Sequence, residues 1–205
     1  MSTTKVEFTN QQGHSLTGIL EKPEGEPKGC VLFAHCFTCG KSMGIVRNIA
    51  KQLTDENLAL LRFDFTGLGQ SEGEFAQTSF TSNLSDLHAA AEYLENTFMA
   101  PGALVGHSLG GAAVLATAKK IDSVRCVATI GAPSDPVHVR HLMGNAEFDA
   151  DDTAEISIGG RPFRIGKEFI EDLEKHDLAT EIASLGKPLL ICHSPLDSIV
   201  GIDNA

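Results

Sequence analysis

Ala103-Leu104-Val105-Gly106-His107-Ser108-Leu109-Gly110-Gly111-Ala112-Ala113 runs from an apolar segment, through a serine flanked by glycines, into small residues that favour a helix. This is the strand, turn and helix context that a G-x-S-x-G nucleophile elbow requires, and it makes Ser108 the candidate nucleophile. The spacing has a steric basis. A side chain held at the tip of so sharp a turn sits on strained backbone. The chain two residues to either side passes close to it, so Gly106 and Gly110 fit because they lack a Cβ. The turn would also expose the Ser108 hydroxyl at the N-terminus of the next helix, where unpaired N–H groups and the helix dipole favour developing negative charge. The Leu109 N–H is one expected oxyanion donor. A glycine-rich turn without chemistry is the competing reading of so short a motif.

Working outward, buried-strand runs alternate with helical patterns. Residues 4–9 and 15–21 read as a hairpin, and Gly29 to Ala34 as a strand covered on both faces. Residues 42–55 read as a helix with Ile45, Ile49 and Leu53 on its buried face. A strand over 58–63 and a helix over 80–98, striped with Leu84, Leu87, Ala91, Leu94 and Phe98, come next. The elbow strand and its helix to about Lys120, a strand over 124–130 and a last strand over 189–192 complete the series. Such alternation predicts an α/β fold with a mainly parallel sheet and helices on both faces. Ligands in such sheets gather at the carboxyl ends of the strands, and His35, Asp64, Ser108, Asp135 and Asp197 all fall just after predicted strands. The alternation lapses over about 136–176, which reads as a small insertion of a hairpin and a short helix. At that place it would lie over the strand ends as a lid.

The 205 residues suit one domain, spanning 1–205, and 42% hydrophobic with 21% charged residues is ordinary for a globular chain. A formal charge of −11 argues against nucleic acid as a partner, because phosphate binding rests on many Lys and Arg. No apolar leader and no apolar run near 18 residues is evident, so a cytoplasmic protein with no membrane partner is expected. Five cysteines make a disulfide framework unexpected, and Cys30, Cys126 and Cys192, inside apolar runs, read as buried small hydrophobes. Cys36 and Cys39 form a C-x-x-C, open to redox chemistry, but without the further ligands that a metal site needs. No metal and no cofactor is expected.

A serine needs a base, usually His, which in turn needs an orienting carboxylate. Asp197, just past the last strand, is the chosen acid, with Asp135 the competitor. None of the eight histidines follows Asp197. Either the final strand, His loop and helix are missing from this chain, or the base comes from elsewhere, as His138 and His141 could if Asp135 were the acid. The loop His35-Cys36-Phe37-Thr38 occupies the place of the second oxyanion donor, which by position is the Phe37 N–H. His35 reads as a structural ring bonding loop backbone. The same loop, continued to Cys39-Gly40-Lys41-Ser42, matches the G-x-x-x-x-G-K-S phosphate loop at every position except the first, so a nucleotide-binding alternative stands beside the serine reading.

Taken together these segments resemble the α/β-hydrolase superfamily over nearly the whole chain. Gly106 to Gly111 is similar to its elbow, and Asp64-Phe65-Thr66-Gly67-Leu68-Gly69-Gln70-Ser71-Glu72-Gly73 to its D-x-x-G-x-G-x-S-x-G segment. The loop from His35 to Ser42 more narrowly resembles the hydrolase half of bacterial proteins fused to a C-terminal domain of the osmotically inducible protein C (OsmC) type. The resemblance implies an α/β-hydrolase fold lacking its C-terminal strand and helix, and a small acyl or ester substrate. It also implies a Ser-His-Asp mechanism in which Ser108 and Asp197 act and the base is absent. A fused OsmC-type domain becomes a possible partner, and a non-catalytic interaction domain the other alternative.

Overall fold

The computed structural model describes the chain except residues 37–39, 43, 139–146 and 159–160, and it gives the backbone alone for Ile158 and Arg161. The strands are β1 (Ser2–Thr9), β2 (Ser15–Lys22), β3 (Gly29–Ala34), β4 (Leu58–Phe63), β5 (Ala103–His107), β6 (Cys126–Ile130), β7 (Thr153–Ile158), β8 (Arg161–Gly166) and β9 (Leu189–Cys192). The helices are α1 (Gly44–Asp55), α2 (Phe80–Thr97), α3 (Leu109–Thr117), α4 (Lys167–Leu173) and α5 (Leu178–Ala183). Seven strands form one sheet in the order β1-β2-β4-β3-β5-β6-β9, and β7 and β8 pair as a separate hairpin. The pairs β1 with β2 and β2 with β4 are antiparallel, and every pair from β4 to β9 is parallel.

The central strands are apolar at successive positions because helices cover both faces. Val31 and Phe33 of β3 meet Leu60 of β4 and Val46 and Ala50 of α1 on one face. Cys30, Leu32 and Ala34 point the other way, into the larger cluster with Leu61, Phe63, α2 and α3. Burial pushes the Cys30 thiol up to about 12, so it behaves as a small hydrophobe. The predicted phase of α1 is off by one residue. Val46, Ala50 and Thr54 form the buried stripe, whereas Ile45 is 46% exposed and Ile49 and Leu53 only flank the core.

Coverage fails at the far side of the sheet. Register places Val105 of β5, Ala128 of β6 and Leu190 of β9 in one row. That row lies on the α1 face; Val105 still packs against the α1 cluster, but cover thins toward the edge and Leu190 is 60% exposed. Among the described residues β9 has a sheet neighbour on one side only. Cys126 and Cys192, read from sequence as buried, are therefore exposed free thiols. They lie in strands, but where nothing packs over them.

The segment of β7, β8 and α4 docks on α2. The Asp172 carboxylate of α4 accepts from the Thr81 N–H at 2.6 Å and from its hydroxyl at 3.0 Å, while Phe169 and Leu173 are buried. A Cβ on Gly166 would collide with the Ala76 carbonyl, which sets how closely β8 approaches the turn before α2. No described helix is long and apolar enough to cross a membrane.

Candidate active site

Ser108 joins β5 to α3 with φ 53° and ψ −127°, a conformation that L-residues rarely adopt and that costs roughly 1–3 kcal/mol. The crossing chain explains both flanking glycines. A Cβ on Gly106 would strike the Gly110 carbonyl, and one on Gly110 would strike the carbonyls of Ala34 and His35. Gly111 is equally constrained, against Ala132. Ser108 is half-buried, and no described side chain hydrogen-bonds its hydroxyl. The Gly111 N–H turns back to the Ser108 carbonyl at 2.8 Å, whereas the Leu109 and Gly110 N–H groups have no acceptor among the described residues. These two donors carry the positive end of α3.

Neighbouring strand ends are stitched to this turn. The Ser108 N–H donates to the Ile130 carbonyl of β6, and the Gly131 N–H to the Cys192 carbonyl of β9, each at 2.9 Å. Gly131 has φ 52°, and a Cβ there would come to 3.1 Å from Asp197 Oδ2. Ser108 and Asp197 thus flank the same strand end. Asp197 Oδ1 accepts the N–H groups of Ile199 at 2.9 Å and Val200 at 3.0 Å. The Val200 and Ile199 bonds hold its carboxyl below the usual carboxylate range, with His193 and His107 adding a smaller pull in the same direction. Oδ2 makes no hydrogen bond among the described residues.

No described histidine hydrogen-bonds Ser108 or Asp197. His107 points to the α1 face, where burial pushes its pKa down against the attraction of Asp197. His193 is tied through Nε2 to the Val200 carbonyl at 2.8 Å. His138 Nε2 lies 2.9 Å from the Ile199 carbonyl, and its would-be acid Asp135 is exposed and caps the Val137 N–H at 2.9 Å. That arrangement speaks against the Asp135 alternative. His141 lies outside the described residues.

The loop that follows β3 is anchored at its start by His35. His35, 1% exposed, places Nδ1 at 2.7 Å from the Cys36 carbonyl, so Nδ1 carries the proton. Its Nε2 accepts from the Phe65 N–H at 3.4 Å, and burial drives the ring's pKa below the ordinary histidine value, leaving it neutral. Phe37 and Cys39 lie outside the described residues. Cys36 is disulfide-bonded, whereas the cysteine count made a disulfide framework unexpected and left Cys36 and Cys39 open to redox chemistry.

Lys41 and Asp64 overturn the nucleotide reading. The two are ion-paired with side chains 4% and 3% exposed, so the lysine that would have met phosphate is already neutralised inside the protein. Asp64 also accepts the Lys41 N–H at 2.7 Å and the Gln70 N–H at 3.0 Å. Arg62 donates to the Lys41 carbonyl and makes a forked pair with Glu21 at 2.9 and 3.1 Å. Asp64 therefore ties the 35–42 loop to the 64–73 loop. Sequence placed Asp64 at a strand end but gave it no partner. A cavity of about 580 Å³ lies elsewhere, between the β7–β8–α4 segment and the turn before α2, and is walled by Glu74, Asp152, Arg164 and Lys167 among others.

Comparison with known proteins agrees with this geometry. Human monoglyceride lipase is 31% identical over 113 residues, which are 54% of this chain and 37% of that protein. The match thus spans little more than a third of the curated relative's length. The esterase domain of a Rhodothermus marinus protein superposes with a TM-score of 0.82 at 47% identity, over 100% of this chain and 81% of that one. Est1E from Butyrivibrio proteoclasticus, solved with ferulic acid, shares the fold with a TM-score of 0.84 at 21% identity, over 97% and 82% of the two chains. Residues 25–144 match the family model described as serine aminopeptidase, S33. Elbow, sheet order and family match agree, and the chain belongs to that family of α/β-hydrolases.

Proposed function

We propose that the protein hydrolyses small carboxylic esters or related acyl compounds, with Ser108 as nucleophile and Asp197 as the acid that orients a histidine base. The observation that carries this reading is the state of the Asp197 carboxylate. One oxygen is committed to backbone N–H groups, while the other lies uncommitted beside the strand end that Ser108 also borders. In the mechanism a neutral imidazole sits between them, giving one ring N–H to Asp197 and taking the Ser108 proton at the other nitrogen as the hydroxyl attacks the acyl carbon. The tetrahedral oxyanion is held by the Leu109 N–H and by the Phe37 N–H of the loop above His35. The imidazolium then protonates the leaving alcohol, and water, activated by the same base, releases the acid. The names of the monoglyceride lipase and esterase relatives support an ester over a peptide as substrate.

The base is supplied, on this reading, by a segment that pairs with the free side of β9 and covers Leu190. The insertion of about 136–176 acts as a lid-like cover that shapes access. Hydrolysis of p-nitrophenyl acetate tests the assignment. The 205-residue chain alone is expected to be slow, because losing the base costs roughly 10⁶ in rate while the oxyanion donors retain roughly 10³–10⁴ over water. Turnover rises when a strand–helix segment carrying a histidine is appended, and Ser108→Ala removes the gain. Turnover that persists in Ser108→Ala sinks Ser108 as nucleophile. Fast, Ser108-dependent turnover by the chain alone would instead place the base within these residues.

A further inference from the structure

We infer that His138 and His193 are positioning residues for Asp197, the two rings holding the stretch of backbone on which its carboxylate hangs. The carbonyls that the rings meet belong to the same two residues whose N–H groups Asp197 accepts. His138 Nε2 lies 2.9 Å from the Ile199 carbonyl, and His193 Nε2 lies 2.8 Å from the Val200 carbonyl. A carbonyl only accepts, so in each ring Nε2 carries the proton. Asp197 Oδ1 in turn takes the Ile199 N–H at 2.9 Å and the Val200 N–H at 3.0 Å. His193 Nδ1 is buried without a hydrogen-bond partner among the described residues, so the bond to Val200 is what ties that ring.

Planarity makes these bonds interdependent. The Ile199 carbonyl and the Val200 N–H are the two ends of one trans peptide and point in opposite directions. His138 therefore grips one end of the unit whose other end binds Asp197. His193 grips the next carbonyl, so Val200, 3% exposed, is fixed through its N–H, its carbonyl and its packing. Both rings stand on the sheet. His193 follows β9 directly, where the Cys192 carbonyl accepts the Gly131 N–H at 2.9 Å. His138 closes the turn after β6, with its N–H on the Asp135 carbonyl at 3.1 Å, and the Ser134 N–H of that turn reaches Asn204 Oδ1 at 3.1 Å. With Oδ1 pinned by two N–H groups, the direction of Oδ2 follows. Oδ2 is the atom left to orient the base, and the catalytic part of this inference rests on the proposed hydrolysis. His138, which the sequence offers as a base, serves the acid instead.

Glutamine places an N–H donor at the reach of Nε2, whereas leucine fills the space without one. The test therefore compares His138→Gln with His193→Gln, made together, against His138→Leu with His193→Leu. The ¹³C resonance of the Asp197 carboxyl, followed against pH in the 205-residue protein, reads the clamp without reference to catalysis. The Val200 and Ile199 bonds hold that carboxyl low, and His193 and His107 are the titratable groups that add to the pull. The leucine protein is expected to titrate about half a pH unit or more above the glutamine protein. Equal midpoints overturn the proposal, since both variants have lost the imidazole charge and differ in the donor. Amide exchange at Val200 should speed up about 10-fold in the leucine protein and stay near native in the glutamine protein; unchanged exchange in the leucine protein overturns it too. Should the double leucine variant fail to fold, the single Leu and Gln variants at His193 carry the same comparison. In protein supplied with the histidine segment, the leucine pair lowers kcat by about 10- to 100-fold with KM unchanged, and the glutamine pair restores most of it. An unchanged kcat overturns the catalytic part. If native turnover does not depend on Ser108, the hydrolytic reading fails, while the titration and exchange measurements still decide the clamp.

Discussion

Lys41 and Asp64 lie 23 residues apart in sequence and form an ion pair almost wholly withdrawn from solvent. Removing one partner of such a pair leaves a buried charge uncompensated, at about 3–5 kcal/mol. Lys41→Met is expected to lower the urea midpoint by that amount of stability. Lys41→Met combined with Asp64→Leu should recover part of it, because the stranded charge is then gone. A double variant no more stable than the single would show that Asp64 acts chiefly through the N–H groups of Lys41 and Gln70.

Ser108 carries strain that glycine would not. Ser108→Gly should raise stability by about 1 kcal/mol, or roughly 2–4 °C in Tm for a chain of this size, while removing the nucleophile. Calorimetry checks the sign. A lower Tm would mean that the φ 53° turn is not under load.

Gly106→Ala and Gly110→Ala force a Cβ into backbone carbonyls on both sides of the elbow. Neither contact is with the end of a flexible side chain, so relief requires α3 to move away from β3 and β5. A loss of about 3 kcal/mol or more is expected for each, read by denaturant unfolding. Gly102→Ala, where a Cβ meets nothing within 4 Å, is the control.

Asp86 gives a pH signature. It is fully buried and accepts from the Thr66 N–H and Asn10 Nδ2, each at 2.8 Å, and from the Thr66 hydroxyl at 3.0 Å. Burial still outweighs these bonds and raises its pKa. The folded state therefore binds a proton more tightly than the unfolded chain. This contribution is fully present below the unfolded value of about 3.9 and is lost as pH rises through the raised folded value. Asp86→Asn should flatten that part of the stability profile. An unchanged slope between native and variant protein would refute the raised pKa.

The strands of the central sheet were legible because burial on both faces writes itself as uninterrupted apolar residues; β3 and β4 fall where the pattern puts them. The elbow was legible for a different reason, since close crossing of two backbones leaves no choice but glycine at 106 and 110. The α1 phase was misread because Ile45 is as apolar as Val46, and only the position of the sheet decides which one faces it. Cys126 and Cys192 were misplaced by the same logic, as composition reports strand character but not whether a helix lies over it. Lys41 imitated a phosphate ligand since its partner, Asp64, belongs to another strand end.

The free side of β9 has a consequence beyond catalysis. The margin of β9 that faces away from β6 has no strand partner among the described residues and lies next to the exposed side chains of Leu190 and Ile191, and such a template accepts any extended strand that meets it. Concentrated preparations of these 205 residues should self-associate through this margin, and a lysine at Ile191 should keep them dispersed.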